Sequence, residues 1–231
     1  MPFYIPNHYY FFPHPLLADD YGFIAQCDDL SPERLLLAYH FGIFPWYMEG
    51  QPLWWFFTHP RCVLFPDKVK IAKSMRSYIN QEKYTVTFDT CFERVITNCQ
   101  TIKRADEAST WLIPELKESM IELHYMGYAH SVEVWEGNEL VGGLYGLALG
   151  KIFYGDSMFS KKSNASKFAL IKLCQYLSKK GFTLIDCQQE TDHMMSMGAE
   201  ILSKNKFYDY IKMNLLEPTE ANSWCNKEQI P

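Results

Sequence analysis

No C-x-x-C pair occurs in this chain of 231 residues, and its cysteines are seven, an odd number. Cys27, Cys62, Cys91, Cys99, Cys174, Cys187 and Cys225 are scattered, with no tight Cys/His cluster among them. A disulfide framework and a zinc site are both disfavoured, and reduced, mostly buried thiols of a cytoplasmic protein are expected. No apolar run approaches the ~20 residues that a membrane-spanning helix needs. The first residues, MPFYIPNHYYFFPHPLL, have no basic start and no unbroken apolar stretch, so a signal peptide is not expected. Basic charge is in short supply: 22 Lys and Arg against 27 Asp and Glu leave a net charge of −5. That argues against broad, non-specific nucleic-acid binding but leaves room for a local basic patch. Internal repeats and low-complexity segments are also missing.

What is there is apolar and aromatic, 48% and 16% of the residues respectively. A chain of this length typically buries about 70% of the surface its unfolded form exposes, enough for a substantial core. Residues 1–30 read as irregular. DLSPERLLLAYHFG then marks a helix, with Ser31 as N-cap, Pro32 in the first position and Gly42 at the end. The aromatic stretch that follows is broken by prolines that forbid a long helix. A small N-terminal domain, 1–60, is expected to end near Pro60, with a larger domain at 61–231.

In the larger part, DKVKIAKSMRSYINQ reads as a helix and YTVTF as a strand. Asp89 is placed to cap a helix in which Phe92, Val95, Ile96 and Cys99 recur on one face. Another helix follows Pro114, with Leu116, Met120 and Ile121 inward and Gly127 at its end. Three strands are expected at 131–135, 139–148 and 151–155, turning at Gly137-Asn138 and Gly150. SNASKFALIKLCQYLSKKG is an amphipathic helix capped by Ser163 or Asn164 and stopped by Gly181. Leu170, Leu173, Cys174 and Leu177 form its inner stripe, and Lys179 and Lys180 suit the negative end of its dipole. LIDCQ is the next strand. The fold class is α+β, a small N-terminal domain plus a C-terminal domain whose β-β-β-α-β order matches the N-acetyltransferase-like (GNAT) core.

The blocks DLSPERLLLAYHFGIFPW, AHSVEVW, LVGGLYG, FYGDSMFS, NASK, LIDCQ and T-x-H followed by SMGA, in this order and spacing, resemble the leucyl/phenylalanyl-tRNA–protein transferases. The likeness runs from about residue 22 to residue 207. Such enzymes move Leu or Phe from an aminoacyl-tRNA to the α-amine of a protein that begins with Arg or Lys, marking it as an N-degron. The resemblance implies these partners, a reaction that needs no cofactor or metal, no membrane, a cytoplasmic location and a monomer. One absence points the same way: the loop SKKSNASK has no glycine. Acyl-CoA enzymes of this fold hold pyrophosphate on a Gly-rich loop before the main helix, so a different donor is expected.

The same resemblance carries the site. It implies Asp186 and Gln188 of D-x-Q as the catalytic pair, Gln188 binding the incoming amine while Asp186 orients it and helps remove the proton. Strand alternation places Asp186 and Gln188 on one face, with Ile185 and Cys187 on the other. On that ground Cys187 is expected in the core. Trp46 and Trp111 are implied to stack on the terminal adenine, at roughly 1–3 kcal/mol each; the residues alone favour core packing, and the resemblance favours the site. Leu144, Phe153, Met158 and Ile185 are expected around the Leu or Phe side chain, where plain packing is the competing reading, and Gly155 and Asp156 beside the reacting ends. Such an apolar pocket discriminates by shape, at only ~1–3 kcal/mol per methylene, so it admits Leu, Phe and by the same measure Met. Lys68, Lys70, Lys73 and Arg76 are candidate contacts to tRNA phosphate, with a solvated helix face as the alternative. Lys161 and Lys162 form a second small group.

Three departures from the family pattern stand out. Asp156 replaces the usual Glu of G-E-S-M-F-S and is one methylene shorter. WFFTHPR stands where WWSPDPR is usual, and CDDLSP where GGDLSP is usual. An acyl-CoA-dependent acyltransferase and a non-catalytic tRNA-binding adaptor are the competing functions.

Overall fold

The computed structural model describes residues 3–47, 50–80, 83–102, 111–222 and 224. Four short strands, β1 (Phe3–Tyr4), β2 (Phe23–Gln26), β3 (Phe44–Trp46) and β4 (Trp54–Phe56), form one sheet in the order β1-β2-β4-β3. Helix α1 (Pro32–His40) lies between β2 and β3 in the chain. Its start is as expected: the Ser31 hydroxyl accepts from the Arg34 N–H at 3.4 Å and Pro32 opens the first turn. A cap of this kind is worth about 1 kcal/mol. Gly42 closes it with φ +70°.

Residues 3–30 are more ordered than expected. Arg34 is fully buried, and its guanidinium binds Asp29 at 3.0 Å and the carbonyls of Tyr9 and Asn7 at 2.7 and 3.0 Å. One long buried cation thus pins the N-terminal stretch through its backbone carbonyls.

Seven strands make the second sheet among the described residues, in the order β11-β5-β10-β9-β8-β7-β6. They are β5 (Arg61–Leu64), β6 (Thr85–Phe88), β7 (Ala129–Glu136), β8 (Glu139–Leu149), β9 (Ile152–Ser160), β10 (Leu184–Gln188) and β11 (Glu200–Leu202). β7, β8 and β9 form an antiparallel meander, turning at Gly137 and Gly150 with φ +58° and +57°. Helix α5 (Ala165–Lys179) crosses one face and returns the chain as β10, parallel to β9. β5 pairs antiparallel on the far side of β10.

The third strand of the meander runs past the expected 155 to Ser160, because GDSMFS keeps pairing with β8, Met158 opposite Leu144. The helix expected over 67–81 is shorter. α2 spans only Lys73–Asn80; Lys70 donates its N–H to the Met197 carbonyl at 2.8 Å, which holds 69–71 extended, and Gln81 lies outside the described residues. Asp89 does not cap α3 (Phe92–Thr101). It sits at φ +54°, and its carboxylate takes His130 Nδ1 at 2.9 Å, the Ser131 N–H at 2.9 Å and the Trp224 N–H at 2.6 Å. Buried donors in need of an acceptor outweigh a helix end that water can serve. α5 begins at Asn164 in the left-handed region, without a side-chain cap.

One face of the large sheet packs on α3, α4 (Pro114–Tyr125) and the N-terminal sheet, and the other on α2 and α5. α4 buries Leu116 and Met120 as expected, with Leu123 in place of the half-buried Ile121. α6 (Asp192–Ser196) and α7 (Lys204–Asn214) complete the fold. Cys27, Cys62, Cys99 and Cys174 are buried, Cys91 and Cys187 half-buried, and none of the six is in a disulfide; Cys225 lies outside the described residues. Among the described residues no helix is long and apolar enough to cross a membrane.

Beyond α7 the chain returns to wedge Trp224 beneath the sheet, where it stacks on His130 at 3.8 Å and lies 5.7 Å from the Phe153 ring. Replacing Trp224 by Ala is expected to cost about 3–5 kcal/mol of stability, read as a lower urea midpoint. A change below about 1 kcal/mol would mean that Trp224 does not hold this end of the chain down.

Candidate active site

A cavity of about 510 Å³ opens where the N-terminal sheet meets the C-terminal ends of β9 and β10. Trp46 of β3, Trp111, Leu144 of β8, Phe153, Gly155, Asp156 and Met158 of β9, and Ile185 and Gln188 of β10 all line it. Of the residues proposed from sequence for the reacting ends, Asp186 alone does not. Lys68, Lys70, Lys73 and Arg76 lie outside it and are exposed. Lys68 already pairs with Glu200 at 3.0 Å.

A bulge aims the β9 residues. The register slips between Tyr145 and Gly146, so that Ser157 faces Tyr145 while Gly155 faces Gly146, and Asp156 is the extra residue. This returns Met158 to the face that Phe153 and Gly155 already occupy. Gly146 permits the bulge, since a Cβ there would lie 2.0 Å from the Tyr154 carbonyl oxygen and 2.9 Å from the Phe153 ring.

β10 carries a second bulge, and it overturns the expected alternation. Pairing with β5 slips between Asp186 and Gln188, and Gln188 takes φ +55°. Ile185, Cys187 and Gln188 therefore reach the cavity, while Asp186 turns away and is fully buried. Cys187 packs on the core beside Ile185, as expected, and also reaches the cavity wall. Asp186 is held by Arg61, whose Nε donates to Oδ1 at 2.7 Å and whose terminal nitrogen donates to Oδ2 at 2.5 Å. Asp186 Oδ1 also accepts the Gln188 N–H at 3.0 Å. Arg61 donates further to the Gly42 carbonyl at 2.8 Å and Thr58 Oγ1 at 3.1 Å, and the Thr58 hydroxyl donates to the Gln188 carbonyl at 3.3 Å. This clamp ties the N-terminal segment to the D-x-Q bulge from both sides. Nothing in the sequence singles out Arg61, whose partner is 125 residues away.

Among the described residues lining this cavity, Asp156 is the only carboxylate. Its Oδ1 accepts from the Tyr39 hydroxyl at 2.8 Å, and its buried Oδ2 has no hydrogen-bond partner among the described residues. Burial pushes its pKa up to about 8; the Tyr39 hydrogen bond opposes the rise and the charge of Asp186 adds to it. Tyr39 stays protonated, because burial, and then the Asp156 charge, raise its pKa well above the usual value. The Gln188 amide fits best with its NH₂ donating to the Gly155 and Cys187 carbonyls at 3.0 and 3.2 Å. Its oxygen then takes the place 3.5 Å from Asp156 Oδ1, as a free acceptor beside the carboxyl. Sequence reasoning missed Tyr39, which reads as one more apolar helix residue until the fold brings it to Asp156.

A family model described as leucyl/phenylalanyl-tRNA protein transferase matches residues 63–212, and one for the N-terminal domain of the same proteins matches residues 28–58. A leucyl/phenylalanyl-tRNA–protein transferase of Christiangramia forsetii is 54% identical over 202 residues, 87% of this chain and 95% of that one. That of Syntrophobacter fumaroxidans is 47% identical over 224 residues, 97% of this chain and 96% of the relative. Among solved structures, an aminoglycoside acetyltransferase from a soil metagenome aligns at a TM-score of 0.39 and 15% identity, over 64% of this chain and 99% of that one, too low to bear on function.

Proposed function

This chain belongs to the leucyl/phenylalanyl-tRNA–protein transferase family, and from that premise we propose that it transfers Leu or Phe from aminoacyl-tRNA to the N-terminal α-amine of proteins. It is an aminoacyltransferase. The observation that carries the reading is one cavity that joins two tryptophans, an apolar wall and a Gln–Asp pair. The terminal adenosine stacks against Trp46 and Trp111, and the Leu or Phe side chain enters among Leu144, Phe153, Met158 and Ile185. The ester carbonyl then lies near Gly155 and Asp156.

The acceptor amine donates a hydrogen bond to the Gln188 carbonyl oxygen and sits against Asp156 Oδ2. Its nitrogen attacks the ester carbonyl, the C–N bond forms, and the C–O bond to the ribose breaks. The amine proton passes to Asp156 and from there to the departing ribose oxygen. A carboxyl with pKa about 8 matches an α-amine at about 7.7–8.0, so little free energy is lost in the exchange. Alignment of amine and ester supplies much of the remainder, ~7–11 kcal/mol where the geometry is good. Asp186, with both oxygens engaged outside the cavity, acts here by orienting Gln188 through its backbone N–H.

The larger part is proposed to be GNAT-like, on the support of its β-β-β-α-β order. The start of α5 does not suit a pyrophosphate, because the Ala165 N–H already serves the Lys162 carbonyl at 3.2 Å and the Ser166 N–H serves Ser160 Oγ at 3.3 Å. That favours aminoacyl-tRNA over acyl-CoA as donor. Division into 1–60 and 61–231, acceptors beginning with Arg or Lys, phosphate contacts from Lys70, Lys73 and Arg76, and a cytoplasmic monomer without cofactor complete the proposal.

The test is transfer of labelled Leu from Leu-tRNA to a peptide beginning with Arg. Transfer is expected with Arg and not with Asp in the first position. Gln188→Ala should lower it at least tenfold, the worth of about 1.5 kcal/mol in one polar contact. An inert wild-type protein, with Phe-tRNA and the Asp peptide tried as well, would return the adaptor reading.

A further inference from the structure

Two thiols meet under the catalytic strand. On β5 and β10, Ile185 lies opposite Leu64 and Asp186 opposite Val63, and the slip then sets Gln188 opposite Cys62 with Cys187 as the extra residue. Leu64, Cys62 and Ile185 share the face that packs on α5, and Cys187 packs against the same cluster. Cys187 thus directly precedes the residue paired with Cys62, on strands about 4.7–4.9 Å apart, and a disulfide needs a Cα separation of about 4.4–6.8 Å. The Cys187 thiol donates to the Ile185 carbonyl at 3.7 Å, and neither cysteine is in a disulfide. Cys62 is sealed in the interior, but Cys187 is half-buried and lines the substrate cavity beside Gln188. A small reagent that enters where the substrate enters meets Cys187 first.

We propose that Cys62 and Cys187 form a modification site, which a peroxide entering through the substrate cavity converts to a disulfide, switching transfer off reversibly. The Cys187 sulfur attacks the O–O bond, taking one oxygen as a sulfenic acid while the other leaves as water. The Cys62 sulfur then attacks that sulfenic sulfur, the S–S bond forms, and a second water leaves. Two thiols are oxidised and one peroxide is reduced, so the step balances. The bond draws Cys187 away from the cavity wall and toward β5. Its carbonyl is one of the two that hold the Gln188 amide, and Gln188 sits in the same bulge at φ +55°. Tightening the bulge therefore displaces the amide that receives the amine.

The loss of transfer rests on the function proposed above; the disulfide itself does not. The test treats the full chain with a few equivalents of hydrogen peroxide, blocks remaining thiols and maps the digest by mass spectrometry without reduction. A Cys62–Cys187 linked peptide is expected, lighter by two hydrogen atoms than the two thiol peptides together. Labelled-Leu transfer should fall at least tenfold and return with dithiothreitol, while Cys62→Ala keeps its transfer and loses the reversible response. Cys187 found as a sulfinic acid, unreacted, or joined to Cys174 overturns the site. A formed disulfide with transfer intact overturns the switch. Protein that transfers nothing before oxidation tells against the proposed function, and the mass map still decides the pair.

Discussion

Replacing Arg61 by Leu is expected to unfold the protein at lower denaturant and to slow transfer in the fraction that folds. Arg61 and Asp186 are 1% and 0% exposed, with the guanidinium holding both carboxylate oxygens. Removing the cation leaves a buried charge without its partner, a change that typically costs about 3–5 kcal/mol. Pairs like this stabilise little against an apolar substitute of the same volume, yet breaking one side is severe. The double variant Arg61→Leu/Asp186→Asn should therefore recover much of the stability, because no uncompensated charge remains. It should not recover kcat. The D-x-Q bulge would still lack the ties to Gly42 and Thr58 that fix Gln188, and a displacement near 1 Å at a reacting group costs on the order of 10²-fold. Urea unfolding and single-turnover transfer separate the effects. Recovery of stability and rate together would mean that the clamp only holds the fold, and an undisturbed single variant would remove it from the account.

The second large effect is expected at Asp156. Asp156→Asn keeps the size of the side chain and can still accept from Tyr39, but it cannot take a proton. A loss of roughly 10²-fold in kcat/KM is expected, at the low end for a general base. The pH profile distinguishes this from misplacement. In the wild type, the free amine and the ionised Asp156 are both required, so kcat/KM should climb with two ionisations below pH about 8. The Asn variant should keep only the amine's single ionisation. An unchanged slope would place the proton elsewhere.

The same group ties stability to pH. Its pKa is about 8 when folded, against the ordinary 3.8, so between those values the folded state holds a proton that the unfolded state has lost. Stability from this group is complete below pH ~3.8, falls as pH rises, and reaches its minimum above pH about 8. Asp156→Asn removes that dependence. Its melting temperature relative to wild type should rise from pH 4 to pH 8; a constant difference would show an Asp156 already ionised at pH 4.

Local chemistry was readable where it is local. Ser31, Pro32 and Gly42 bound α1 through their own side chains and φ preferences, and Gly137 and Gly150 set the turns for the same reason. Asp89 shows the limit. A capping residue by position, it is taken by His130, Ser131 and Trp224, none of them near it in the chain. The 67–81 segment shows it again, since Lys70 has a helical pattern but gives its N–H to the carbonyl of distant Met197. The cavity residues were legible through the family resemblance and not through their types: Leu144, Phe153 and Ile185 look like any core.

The sequence by itself determined the reaction family, the order of elements and the residue types at the site, because motif order, periodicity and end-capping are written in neighbouring positions. Tertiary structure alone decided which way those residues face. Alternation would have put Asp186 beside Gln188, and the bulge against β5 separates them. It also decided that Asp156, with Tyr39 on one oxygen and no partner among the described residues on the other, is the carboxylate that lines the cavity. A bulge is set by the strand it pairs with, and a pKa by whatever surrounds the group. Both depend on chain segments that meet only when the protein folds.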